Sequence, residues 1–319
     1  MTGRILIMPK VSISQDIENS GLYPRVSIIF PNYNGGNEPI ECLKSIQKLN
    51  YPKDKLEIIV IDNGSQDGSD LKIRQKFPGV KLIKNHSNLG FARAINQGIK
   101  IATGTLIFIT NDDIVFEKNS LKNAVEYLIN HKDVAIIGGK IYYKDMPQKI
   151  CSCGYIMNKW TGHIRSAPNP NKLKEPDWVQ GCAILISKKI LAKIGHLDPR
   201  YFWSFEDFDL CLRVKKLGLK VIYLPSSVYW HGQGKTADKN KPLKHLYWYR
   251  GKIYFLIKHL PIINIASILL LQTLVIAPVR ALVSHDQTFL PFLKALSINI
   301  QNLKQSISAR KKLHGQIIF

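Results

Sequence analysis

Acidic residues are scarce in this chain: 23 Asp and Glu stand against 45 Lys and Arg, a net charge of +22 over 319 residues. With an ordinary hydrophobic content of 45%, that excess points to an anionic partner. Nucleic acid, a phospholipid surface and phosphorylated substrates each suit it, as does a merely soluble basic surface. Cysteine is scarce too. The five thiols (Cys42, Cys151, Cys153, Cys182, Cys211) lack paired zinc-ligand spacing, and Cys151 and Cys153 lie too close for an ordinary disulfide, so they read as reduced thiols of a cytosolic protein. The opening "MTGRILIMPKVSISQD" holds an apolar run of only four residues, too short for a signal-peptide core, and export is not expected. There is no P-loop, no GxGxxG opening a helix after a strand, no GxSxG elbow and no HExxH, which removes the common nucleotide cradles, the hydrolase elbow and the zinc-protease helix.

What is present is a βα rhythm. "RVSIIF", "LEIIVID", "VKLIK", "TLIFIT" and "VAIIGG" read as strands, and "EPIECLKSIQKL", "DLKIRQKF", "FARAINQGIKIA" and "SLKNAVEYLIN" between them have helical spacing. Continuous Val/Ile strands buried on both faces predict a Rossmann-like, mainly parallel sheet flanked by helices, with ligands bound beyond the strands' carboxyl ends. The first four strands end in "PNYNGG", "DNGSQDGS", "NHSNLG" and "NDD". Each could be turn chemistry, but four in succession point to one crevice.

From Tyr142 to about Pro176 the periodicity gives way to hairpins and a flexible loop, then order returns at "DWVQGCAILIS" and "KKILAKIG". In "FEDFDLCLRVKKLG" a helical stripe of Leu210, Val214 and Leu217 places Asp207 on the inner side, and Asp209 with Arg213 and Lys216 on the polar side. Three segments result: a leader, 1–24; a βα domain, 25–234; and a helical tail, 235–319. The tail carries 13 Lys and Arg against two acids. Its run "LPIINIASILLLQTLVIAPV" has the length of a membrane span but includes Asn264, Gln272 and Pro278. It could span, form a soluble helical hairpin, or lie in the interface with Lys and Arg on anionic head groups.

The acids Asp62, Asp112, Asp113, Glu206 and Asp207, with His231, make a scattered set beside the crevice. Adjacent carboxylates at Asp112 and Asp113 repel unless a positive charge meets them, and oxygen ligands with one imidazole suit Mg²⁺ or Mn²⁺, the latter slightly favoured. A helix N-cap carboxylate and a structural histidine are the ordinary alternatives for Asp207 and His231.

"VSIIFPNYNG", "IIVIDNGSQDGS", "NLGFARAINQGI", "FITNDDIVF", "WVQGCAILIS" and "FWSFEDFDLCLRV", in that order from about Arg25 to Gly234, resemble the signatures of family 2 glycosyltransferases with the GT-A fold, rhamnosyltransferase-like branch. The resemblance implies a nucleoside-diphosphate sugar donor. Tyr33, with Asn34 beside it, would stack on the base and Asp62 would accept a hydrogen bond from it. Asn88, Gly90 and Arg93 would lie near base and diphosphate, and Asp112 would touch the ribose. Asp113, helped by His231, would ligate the Mn²⁺ or Mg²⁺, although Asn111 stands where a strict DxD has its first acid. Asp207, second of the Glu206–Asp207 pair, resembles the general base, and Trp203 or Trp230 could stack on a sugar.

The reading is an inverting transferase acting on a glycan or lipid-linked acceptor at the inner face of the plasma membrane, in cell-surface polysaccharide assembly. The rivals are a non-catalytic nucleotide-sugar or nucleic-acid binder and a metal-dependent nucleotidyltransferase. The basic tail lacks RNA-binding aromatic interleaving, which speaks against nucleic acid.

Overall fold

The computed structural model describes residues 23–232, 241–276, 279 and 289–315. The leader, apart from Tyr23 and Pro24, therefore lies outside the described residues, as do the boundary at 234/235, Pro278 within the apolar tail run and Arg280 after it.

In chain order the elements are β1 Val26–Asn32, α1 Glu38–Gln47, β2 Leu56–Asp62, α2 Ser69–Lys76, β3 Lys81–Lys84, α3 Phe91–Ile101, β4 Leu106–Thr110, β5 Ile114–Phe116, α4 Ser120–Asn130 and β6 Val134–Tyr143. Three short strands follow, β7 Ile150–Ser152, β8 Tyr155–Met157 and β9 Ile164–Ser166, then β10 Ala183–Ser187, α5 Lys188–Ile194, α6 Glu206–Lys216 and β11 Lys220–His231. The C-terminal helices are α7 Lys241–His259, α8 Ile262–Leu271 running into a π-turn Gln272–Ile276, α9 Phe289–Gln301 and α10 Leu303–Gly315.

The main sheet runs β3-β2-β1-β4-β10-β6-β11-β5, with β7 hydrogen-bonded to β6. The half built from the βα repeats, β3 to β4, is parallel, as the unbroken apolar runs predict. The other half is mixed. β10 is antiparallel to both its neighbours, β6 and β11 are parallel, and β5 pairs antiparallel to the end of β11. Burial on both faces fixes the apolar run but not the strand direction, and β10, buried throughout, reads in sequence like its parallel neighbours. The segment "SSVYWH" is the second half of the irregular strand β11, with a register shift between Leu224 and Val228.

Sheet and helices share one core, joined by Tyr254, Phe255, Leu256, Leu260, Ile268 and Ala309 of the C-terminal helices. A column of stacked rings, Trp178 on Phe208 at 3.9 Å and Phe208 on Phe255 at 4.1 Å, ties α6 to α7.

The expected polar placement of Asp209 is corrected. It is fully buried, paired with Arg213 at 2.8 Å, Lys258 at 2.5 Å and His259 at 2.7 Å, because α7 covers the face of α6 that the helical period alone leaves to solvent. Burial alone would raise its carboxyl, but Arg213, Lys258 and His259 hold it well below the usual range. Lys258 also reaches Asp198 at 2.8 Å.

Among the described residues no helix is long and apolar enough to cross a membrane. The apolar tail run is broken by Pro261 ahead of α8 and by the π-turn behind it.

Candidate active site

The loops at the carboxyl ends of β1 to β4 converge, with the first turn of α6, on a cleft of about 740 Å³. That is the size of a cofactor or substrate pocket. Tyr33, Asn88, Gly90, Asp112, Asp113, Trp203, Glu206, Asp207 and His231 all lie on its wall. Asn34, Asp62 and Arg93 stand behind it. Asn34, at a positive φ of 51°, ties the first two loops together: its backbone N–H donates to Ser65 Oγ at 2.9 Å and its Oδ1 accepts from Gln66 N at 2.8 Å. Asp62 is fully buried, with its two oxygens taken by Asn32 Nδ2 at 2.8 Å and Ser65 N at 3.1 Å. Arg93 is exposed on α3 and donates to Pro199 O at 3.5 Å. Trp230 is also off the wall, its ring against Tyr142 at 6.3 Å.

Gly90 shapes the loop between β3 and α3. Its φ is 85°, and a Cβ there would stand 2.5 Å from the Phe202 carbonyl, which accepts from Phe91 N at 2.8 Å.

In the cleft β11 and β5 pair His231 with Ile114, bringing the imidazole onto the Asp112–Asp113 turn. His231 Nε2 lies 3.1 Å from Asp113 Oδ1 and 3.2 Å from Asn111 Nδ2. Asp113 Oδ1 is buried, yet its contact with the imidazole lacks hydrogen-bond geometry, and no other partner satisfies it. Burial, then the charge of Asp113, raises Asp112 to about 8. An orphaned carboxylate oxygen facing an imidazole, beside a second acid that resists ionising, fits a hard divalent cation. No cluster of three or more His, Cys, Asp and Glu that could cage a metal occurs among the described residues. Two protein ligands with the remaining positions left to phosphate and water is how Mg²⁺-type sites are commonly built.

Asp207, on the same cleft wall, is held at the N-terminus of α6. Its Oδ2 accepts from Gly181 N at 2.9 Å and its Oδ1 from Phe208 N at 2.7 Å. The chain enters this helix through Ser204 and Phe205, consecutive residues at positive φ (75° and 72°), a strained approach of the kind found at functional sites. Burial raises both Asp207 and Glu206. The two backbone donors keep Asp207 the lower, at about 6, while the charge of Asp207 lifts Glu206 to about 8. Near neutral pH the first is then an ionised base and the second a neutral acid whose buried Oε2 has no partner.

Sequence reasoning missed the aromatic wall. Tyr155 of β8, Trp178, and Tyr247 and Trp248 of α7 all line the cleft, and Tyr247 stacks on Phe202 at 4.5 Å. The aromatic run "YWY" on a helix was the available signal, but the surrounding tail reads as a membrane-facing segment.

This architecture, a half-parallel mixed sheet with acids on its carboxyl-end loops and helices on both sides, is the GT-A fold. The chain belongs to glycosyl transferase family 2, whose family model matches residues 27–195. It is 26% identical over 253 residues to the probable glycosyltransferase YdaM of Bacillus subtilis, covering 76% of this chain and 59% of that protein. To the N-acetylglucosaminyl-diphospho-decaprenol L-rhamnosyltransferase of Mycobacterium tuberculosis it is 24% identical, over 60% of this chain and 71% of the relative. Among solved structures, the mannosyltransferase PcManGT of Pyrobaculum calidifontis in complex with GDP-Man and Mn²⁺ superposes with a TM-score of 0.58 at 19% identity, covering 93% of this chain and 85% of that one.

Proposed function

We propose that the protein is an inverting glycosyltransferase that moves a sugar from a UDP- or dTDP-sugar to a hydroxyl of a glycan or lipid-linked acceptor. The observation that carries this reading is the pairing of two acid centres in one cleft: Asp113 with His231, and Asp207, an ionised carboxylate fixed by two backbone N–H groups. Asp207 takes the proton of the acceptor hydroxyl, whose oxygen forms the new bond to the anomeric carbon. The bond from that carbon to the diphosphate oxygen breaks on the opposite face, and the nucleoside diphosphate leaves. Asp113 and His231 would hold Mn²⁺ or Mg²⁺, which supplies neutralisation of the diphosphate charge. Neutral Glu206 donates a hydrogen bond to a sugar hydroxyl. Tyr33 and Trp203 offer ring faces to base and sugar, and Asn88 and Gly90 shape the donor loop. Asp62 and Asn34 act from behind, keeping the first two loops in place.

The residues 25–234 form the catalytic part. A place at the cytoplasmic leaflet, in cell-surface polysaccharide assembly, is supported by the basic, apolar tail and by the name of the mycobacterial relative. Nucleic acid is disfavoured because the cleft is lined with acids.

Two outcomes follow. Transfer rate should fall as pH drops through about 6, because protonating Asp207 removes the base, and a profile flat from pH 5 to 8 would contradict this. In calorimetry with UDP, dTDP and GDP, Mn²⁺ should tighten binding of one nucleotide in the wild type, and Asp113→Ala should abolish the Mn²⁺ effect. Equal tightening in both proteins would place the cation elsewhere.

A further inference from the structure

The β8–β9 hairpin, within the stretch read from sequence as hairpins and a flexible loop, is fixed to the C-terminal helices. Ser267 Oγ of α8 donates to Trp160 O at 2.9 Å. Gly162, at a φ of 66°, packs so closely on α8 that a Cβ would lie 2.8 Å from Ile268 Cγ2. Asn158 Oδ1 braces the turn by accepting from Trp160 N and Thr161 N at 2.9 and 3.0 Å. The turn is thus rigid, yet it holds the Trp160 side chain out at 58% exposure. Lys159, His163 and Arg165 are exposed around it, and the stretch from Tyr155 to Ser166 contains no acid.

The docked helix continues this surface. Ile262 is 81% exposed, and Ile263, Leu270, Leu274 and Val275 are exposed beside it, while no charged residue occurs from Ile262 to Ile276. A solvent-facing tryptophan among cations, next to an uncharged apolar ridge, is the chemistry of a bilayer–water interface: the ring sits at head-group level, the ridge enters the acyl boundary, and Lys and Arg meet anionic head groups. A second copy of the chain fits less well, because it would bring the same cations and a net charge of +22 against them.

The surface adjoins the cleft. The same hairpin lends Tyr155 and Ile164 to the cleft wall, and Lys252, whose Nζ lies 5.0 Å over the ring of the wall residue Trp248, comes within 3.4 Å of where a Gly162 Cβ would be.

We infer that the Trp160 turn and the α8 ridge form one seating surface for an anionic bilayer, holding the cleft mouth at head-group level. Resting on the transferase reading above, this identifies the acceptor as lipid-carried, its hydroxyl presented from the membrane plane beside the aromatic wall. Neither the turn nor the ridge belongs to the catalytic machinery, so vesicle binding and chemistry separate.

The test is co-sedimentation of the full chain with vesicles of equal parts phosphatidylcholine and phosphatidylglycerol, and with phosphatidylcholine alone. The wild type should pellet with the anionic vesicles. Trp160→Ala and the double variant Ile262→Ser with Leu270→Ser should each weaken partitioning about tenfold or more, the value of one large apolar side chain taken from water. Thermal melting and slow hydrolysis of the nucleotide sugar should be unchanged in both variants, since the altered side chains face solvent. Three results would overturn the inference: a wild type that stays in the supernatant, binding indifferent to phosphatidylglycerol, and unweakened binding by the variants. A wild-type dimer in sedimentation velocity that the double variant dissolves would assign the ridge to a second copy and overturn it too. Absence of nucleotide-sugar hydrolysis counts against the transferase reading, whereas the vesicle result decides the seating surface alone.

Discussion

Asp207→Asn is expected to lower sugar transfer by about 10²–10⁴-fold while leaving donor binding intact. The substitution keeps the size of the side chain, and its amide oxygen can still accept one of the hydrogen bonds from Gly181 N and Phe208 N that hold the carboxylate now. What it removes is the lone pair that takes the acceptor proton. The loss therefore belongs in kcat, with little change in KM for the donor, because the substitution leaves Asp112, Asp113 and His231 untouched. Glu206 does not replace the base: its carboxyl is buried, and burial, the first cause of its raised value, persists in the variant. Steady-state kinetics with both substrates varied would check the split. Near-normal transfer by Asp207→Asn would remove this residue from the chemistry.

Asp209→Ala is expected to destabilise the fold by about 3–5 kcal/mol, because it takes the shared carboxylate from buried Lys258 and Arg213, leaving Lys258 with Asp198 and Arg213 with backbone carbonyls. Both cations are themselves buried, so water cannot replace the lost partner. The sign with pH follows from the depressed carboxyl: its contribution is present above the unfolded value near 3.9 and is lost as pH falls through the lower folded value. Urea unfolding at neutral pH measures the difference, and a loss below 1 kcal/mol would mean that the pairs add nothing net. The same carboxylate ties α6, which carries Asp207, to α7, so a residual fold of this variant should also transfer sugar poorly.

Much of the site was legible because its residues occupy short polar breaks between apolar strands. "NDD" follows the buried strand β4 and "NLG" the short strand β3, while Asp207 was placed by the inward stripe of its own helix, and Asp112, Asp113, Gly90, Glu206 and Asp207 lie on one wall. Strand direction was not legible at β10, since a strand buried on both faces looks alike in either direction. Asp209 misled for a related reason. Helical periodicity assigns a face to solvent only if nothing else packs there, and the cover, Lys258 and His259, comes from about 50 residues downstream. The tail posed the same difficulty in reverse: its apolar and basic composition is visible, but that Tyr247 and Trp248 turn into the cleft while Ile262 and Leu270 turn out is decided by α7 and α8 packing in different places. Asp62 was found as a polar strand end, yet its two oxygens serve the first two loops rather than the cleft wall.

The most direct test of the central claim is product analysis after incubating the purified protein with UDP-, dTDP- and GDP-sugars, with Mn²⁺ and with a chelator. The account predicts release of a nucleoside diphosphate from a UDP- or dTDP-sugar, dependent on the cation and lost in both Asp113→Ala and Asp207→Asn. Release of pyrophosphate, or turnover that persists in Asp207→Asn and in the chelator, would contradict it.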